Sequence, residues 1–130
     1  MPTLVVTLSH QPPPERYALL ADALTRITAQ TLEKRAEVTA VAIDVLPPGR
    51  WFVGGREPAR PTVLLEINVT RGTNSDHQKA AFVQAAYAEL ASQLGAAAGI
   101  ELASYVVVNE VDAANWGYGG RTQQDRHKPS

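Results

Sequence analysis

Apolar and polar positions change rhythm several times along the chain, and each rhythm predicts an element. Thr3-Leu4-Val5-Val6-Thr7-Leu8 is apolar and β-branched throughout, which suits a strand buried on both faces. Gln11-Pro12-Pro13-Pro14 stops it, and proline is favoured just ahead of a helical pattern because a first-turn residue needs no N–H partner. From Glu15 to about Glu33, Leu20, Ala23, Leu24, Ile27 and Thr31 recur at three and four, with Arg16, Asp22 and Arg26 off that face. This spacing predicts an amphipathic helix. Val38 to Leu46 alternates, with Val41, Ile43 and Val45 on one side, and predicts a second strand ended by Pro47-Pro48-Gly49. Trp51-Phe52-Val53-Gly54-Gly55 reads as a short aromatic hairpin.

The second half repeats this order. Pro61-Thr62-Val63-Leu64-Leu65 echoes Pro2-Thr3-Leu4-Val5-Val6, and Ser75-Asp76-His77-Gln78 is a capping-box pattern. The helix it opens carries Ala81, Phe82, Ala85, Ala86, Leu90 and Leu94 on one face, and Gly95 and Gly99 bracket its end. Tyr105-Val106-Val107-Val108 predicts another buried strand, leading to Trp116-Gly117-Tyr118-Gly119-Gly120, the counterpart of Trp51 to Gly55. The expected fold is α/β: two tandem β-α-β repeats with right-handed crossovers, forming a four-stranded sheet with both helices on one face and a short hairpin closing each repeat. The organisation is a single domain, 1–130, with repeat 1 at 2–55, a linker at 56–60, repeat 2 at 61–120 and a polar, mobile tail at 121–130. Strands apolar on both sides would leave one sheet face uncovered, which predicts a homo-oligomer.

Composition narrows the chemistry. A chain of 130 residues with 45% hydrophobic content can bury a core, and a formal net charge of -1 gives no electrostatic case for nucleic acid or an anionic membrane. There is no cysteine, so thiol nucleophiles, disulfides and cysteine metal sites are excluded. His10, His77 and His127 are scattered without metal-ligand spacing, so no metal is expected. The first residues lack a basic signal-peptide region and no run reaches membrane-spanning length, which points to a cytoplasmic protein. Lys34, Lys79 and Lys128 read as solvated. Pro2 is the candidate for chemistry: with Met1 removed, its secondary amine heads a buried strand, and an α-amino group titrates at about 7.7–8.0, close enough to neutrality to act as a base.

Pro2 at the head of a strand, two tandem β-α-β units and a Gly-Gly hairpin closing each unit together resemble the tautomerase superfamily, specifically a fused two-repeat protein of the 4-oxalocrotonate tautomerase type. The second repeat carries the stronger match, in Arg71-Gly-Thr-Asn-Ser-Asp-His-Gln-Lys79 and in Asn109-Glu110-Val111 leading to Trp116. The resemblance implies a homotrimer and cofactor-free keto-enol tautomerisation of a small unsaturated or 2-oxo carboxylic acid, with Pro2 as general base and acid. It implies Arg71 as the cation for the substrate carboxylate and Trp116 as the apolar wall, with Trp51 its counterpart in the other half. Asn74 stands where some two-repeat relatives carry an arginine, and Tyr105 where single-repeat enzymes hold a second one. Only the Pro2 amine can be freed, since Pro61 lies inside the chain.

Two other readings stand beside this one. Glu110 matches the carboxylate that activates water in the cis-3-chloroacrylic acid dehalogenase branch, but Thr28 and Asn74 replace two of that branch's residues. A malonate semialdehyde decarboxylase-like activity would need Glu37 as its acid. The remaining alternative is a non-enzymatic oligomer with a degenerate site.

Overall fold

A computed structural model describes residues 1–127, so Lys128 lies outside the described residues. Strand β1 (Thr3–Leu8) is followed by helix α1 (Arg16–Leu32), a 3₁₀ turn (Ala36–Val38) and strand β2 (Ala40–Val45). The second unit is β3 (Val63–Thr70), α2 (Asp76–Leu94) and β4 (Tyr105–Val111). The sheet order is β2-β1-β3-β4. Strands β1 and β2 run parallel, as do β3 and β4, while β1 and β3 join the halves antiparallel. This is the expected pair of β-α-β repeats, related by a pseudo-twofold between β1 and β3.

Side-chain alternation decides which sheet face is buried. Leu4, Val6 and Leu8 of β1 and Val63, Leu65, Ile67 and Val69 of β3 are buried with Leu20, Leu24 and Leu32 of α1 and with Phe82, Ala86 and Leu90 of α2. Both helices therefore cover one face. The other face is uncovered in the single chain, as expected of a sheet with both helices on one side: Val5 is 45% exposed. Its register partners there are Ala42 and Glu66. Asn68 on β3 donates to Thr3 Oγ1 (3.1 Å). Polar residues in alternate positions make that face mixed, because an apolar-looking run still sends every second residue to the opposite side.

Each repeat closes with the same tight turn. Gly117–Tyr118 (β5) pairs with Arg121–Thr122 (β6), and Val53 pairs with Arg56. The two glycines between, Gly54-Gly55 and Gly119-Gly120, all have positive φ, the geometry of a two-residue hairpin that twists with its strands. Residues 121–127, read from sequence as part of the polar tail, carry regular structure. They complete β6 and then form a short helix, α3 (Gln123–His127), whose Gln123 is buried. Among the described residues no helix is long and apolar enough to cross a membrane.

Candidate functional site

Topology gathers several chain segments around Pro2. Because β2 is parallel to β1, the loop entering β2 lies beside the start of β1. Because β3 is antiparallel to β1 and parallel to β4, the ends of β3 and β4 arrive at that same edge, and the hairpin and α3 follow. Pro2 is buried, and its carbonyl accepts the N–H of Ala40 (3.2 Å), which fixes it in the sheet. A cavity of about 360 Å³ opens over it, lined by residues including Lys34, Arg35, Thr70, Tyr118, Gln123 and Arg126.

The cations of this cavity are placed by specific local devices. Helix α1 ends at Glu33 in the left-handed conformation (φ 56°), an unusual one for a residue with a Cβ, and the turn leads directly into Lys34 and Arg35. Lys34 Nζ donates to Thr73 Oγ1 (2.8 Å), and Thr73 Oγ1 donates to the Thr70 carbonyl (2.7 Å). Lys34 has no carboxylate partner among the described residues, and burial lowers its pKa from the usual lysine value. Arg35 is paired with Glu37 at 2.8 Å. Arg126 lies over the Tyr118 ring, 3.9 Å from its centroid, and donates through Nη2 to the Tyr118 carbonyl (2.9 Å).

The amine at the chain start feels this environment. In the full chain it belongs to Met1, and burial, then the charges of Lys34 and Arg35, hold it below the ordinary α-amino range. A cavity with an easily neutralised amine and unneutralised cations can bind a small anion and exchange a proton with it.

The other residues singled out by sequence occupy different places within the protomer. Arg71 donates from Nε to Asp112 Oδ1 (2.7 Å) and its side chain is 64% exposed. Asn74 Nδ2 donates to the Leu32 carbonyl (2.9 Å) and to Gln78 Oε1 (3.1 Å), so it ties the end of α1 to the capping box of α2. Glu110 takes a 2.8 Å bond from Lys79, which holds its carboxyl below the usual range. Trp116 Nε1 donates to Thr70 Oγ1 (3.2 Å), bracing a residue of the cavity from behind while its ring lines a separate, shallow depression. Tyr105 is 64% exposed at the start of edge strand β4. None of these five lines the Pro2 cavity in the single chain, and Pro2 is the candidate it does contain. Thr28, buried, donates to the Leu24 carbonyl within its own helix (2.7 Å). Among the described residues no cluster suited to a metal ion occurs.

Lys34, Arg35, Tyr118, Gln123 and Arg126 line the cavity but were not singled out by the sequence, which had Lys34 as solvated. For Lys34 and Arg35 the signal was present: once β1 and β2 are parallel, whatever precedes β2 must border Pro2.

No family model and no curated protein matches the chain. Solved structures do. The fused 4-OT designated F6, an asymmetric trimer, superposes with a TM-score of 0.84 at 25% identity, covering 97% of this chain and 99% of that one. Native fused 4-OT gives 0.80 at 27% identity, over 94% and 96% of the two chains. Pt0534, solved after inactivation by 2-oxo-3-pentynoate, shares the fold at a TM-score of 0.86 and 16% identity, over 97% and 99%. With the doubled β-α-β order and its paired Gly-Gly hairpins, this near-complete likeness gives the chain the fold of the tautomerase superfamily and a strong structural match to its fused, two-repeat 4-oxalocrotonate tautomerases.

Proposed function

We propose that the protein is a cofactor-free tautomerase of a small unsaturated or 2-oxo carboxylic acid, acting through the amine of Pro2 once Met1 is removed, in a homotrimer. The observation that carries this reading is the cavity over Pro2, where the chain-terminal amine is held below its ordinary pKa by burial and by Lys34 and Arg35. Removing Met1 moves the amine one residue inward, onto a ring that is itself buried, so its neutral form is favoured further. The neutral nitrogen takes a proton from carbon beside the substrate carbonyl. The resulting ammonium returns it to another carbon of the conjugated system.

Lys34 serves as the first cation for the substrate carboxylate, since it is partly buried and its one partner among the described residues is a hydroxyl. The charge that develops on the enolate oxygen falls within reach of the same basic cluster, the kind of preorganised field that lowers such barriers most. Arg71 lies outside the cavity of its own chain, so it serves the reaction where it reaches the cavity of a neighbouring subunit. A water-adding reaction is less well served, because Glu110 is held by Lys79 and does not line the Pro2 cavity. Glu37, the acid a decarboxylase would need, is bound to Arg35 outside the cavity.

The test begins with intact mass, which is expected to show loss of Met1. Incubation with 2-oxo-3-pentynoate, the compound that inactivates Pt0534, is then expected to add one equivalent at Pro2 and abolish ketonisation of an enolic 2-oxo acid. Retained Met1, or full activity in Pro2→Ala, sinks the mechanism.

A further inference from the structure

The cavity over Pro2 holds two uncharged polar groups that its cations do not account for. Of the polar side chains lining it, Thr70 and Gln123 are the buried ones, at 9% and 3% exposure. Lys34, Arg35 and Arg126 supply positive charge, while Glu33, Thr73 and His127 stand exposed at the rim. Burying a carboxamide without partners is costly, and native interiors rarely tolerate it. Yet among the described residues the Gln123 side chain makes no hydrogen bond, and only its backbone N–H is used, on the Trp116 carbonyl (2.8 Å). Nor is that carboxamide sealed in protein. Among the described residues the one unpartnered side-chain atom that is fully enclosed is Gln93 Oε1, so the Gln123 amide still meets solvent, and the space it lines is the Pro2 cavity.

Thr70 keeps a spare donor for a different reason. Its Oγ1 accepts from Trp116 Nε1 (3.2 Å), and its own hydroxyl hydrogen has no acceptor among the described residues. An indole N–H donates and cannot accept, so this hydrogen is turned away from the ring. Trp116 therefore holds both groups: its side chain fixes the Thr70 hydroxyl, and its carbonyl fixes Gln123 at the start of α3. A carboxylate goes to a cation such as Lys34. A pair of uncharged, preorganised donors instead suits an oxygen that is neutral at first and gains charge during the reaction.

We propose that Thr70 Oγ1 and Gln123 Nε2 are catalytic residues that donate to the substrate's carbonyl oxygen as it becomes an enolate, and that Trp116 is the positioning residue that assembles them. The assignment rests on the tautomerase reading of Pro2. As the Pro2 nitrogen takes the proton beside the carbonyl, the C–H pair becomes a carbon–carbon double bond and the carbonyl π pair moves onto oxygen, where the two donors meet it. When the carbonyl re-forms, the conjugated carbon takes the proton back from the ammonium and the donors relax.

Two measurements on the full chain separate this oxygen subsite from the reading it rests on. Isothermal titration compares oxamate, whose amide carbonyl stands where a 2-oxo group would, with isobutyrate, which puts a methyl group there. Oxamate should bind about fivefold tighter or more, the worth of one net hydrogen bond, and the double variant Thr70→Val with Gln123→Met should erase the preference. In ketonisation of an enolic 2-oxo acid, Thr70→Val and Gln123→Met should each lower kcat about tenfold or more, in excess of any rise in KM. Thr70→Ser should recover most of the loss, and the rising pH limb should stay in place because no charge has changed. Trp116→Phe should lower kcat in the unaltered chain but add little to Thr70→Val; fully additive losses overturn its positioning role. Should Gln123→Met fail to fold by circular dichroism, Gln123→Asn, which draws the amide back by one methylene, makes the same comparison. Equal affinity of the unaltered chain for the two acids, or undiminished kcat in both single variants, overturns the proposal. A chain that prefers oxamate but turns over no enolic acid overturns the tautomerase reading, and with it the catalytic role, while the oxygen subsite stands.

Discussion

Two residues at the end of α1 show how a side chain's value depends on where the chain turns. Lys34 is one of many surface-type residues by composition, yet the turn at Glu33 brings it to the mouth of the Pro2 cavity. Because burial, and then the charge of Lys34, lowers the pKa of the chain-terminal amine of Met1, the Pro2 amine freed into the same cavity should be lowered too, and the rising limb of kcat/KM against pH should lie below about 7.7–8.0, the ordinary α-amino range. Lys34→Ala removes that repulsion, so the amine holds its proton to higher pH and the limb moves upward, with KM for the acid rising as well. A profile that stays in place while KM alone changes would assign Lys34 to binding only. Asn74 carries a different kind of work. Its bonds to Leu32 and Gln78 are structural, so Asn74→Ala should cost about 1 kcal/mol in urea unfolding. The effect on kcat should be small. Pro2 was legible in sequence because its chemistry is fixed by position in the chain. The orientation of Arg71 was not, because it is set by Asp112, forty-one residues away on the next strand's exit.

Elements were legible wherever a local signal and a tertiary role agree. The Ser75–Gln78 capping box forms as its spacing predicts, and both Gly-Gly pairs make the same turn. Helix α3 gave no such signal. Its five residues, Gln123–His127, are polar, and what orders them is nonlocal: the Gln123 N–H bonds to the Trp116 carbonyl (2.8 Å) and Arg126 stacks on Tyr118. A pair of substitutions separates backbone strain from site geometry. Gly54 and Gly119 both have positive φ, so alanine at either should cost about 1–2 kcal/mol. At Gly54 a new Cβ meets nothing within 4 Å, whereas at Gly119 it falls 2.5 Å from Arg126 Nη2. Gly119→Ala must therefore push the guanidinium off the Tyr118 carbonyl. Thermal melting should fall in both variants, but KM should rise severalfold only in Gly119→Ala. Equal KM values in the two would remove Arg126 from substrate binding.

At the scale of the whole molecule, one pattern of parallel and antiparallel pairing determines what each end of the sheet can do. Duplicating a β-α-β unit and joining the copies antiparallel through β1 and β3 gives two equivalent corners, and only the corner at the chain start can carry a free amine. The succession of elements and the buried faces of the helices followed from periodicity, since Leu20, Leu24, Phe82, Ala86 and Leu90 pack in the core as their spacing predicts. What periodicity did not distinguish was the character of the uncovered face, where Val5 stands beside Glu66. We propose that this face carries the subunit contact. Val5 lies on an interior strand, 45% exposed, and no element among the described residues covers it. If three copies close around these sheets, Val5 becomes desolvated, and an unpaired carboxylate there is costly. Val5→Asp should therefore shift the particle measured by light scattering from trimer toward the 14.0 kDa chain and lower activity in parallel. Val83→Asp, on the outward side of α2 and 37% exposed, should leave the mass unchanged. A Val5→Asp protein that remains trimeric would move the subunit contact off the open sheet face, and with it the route by which Arg71 of one subunit could meet the cavity of the next.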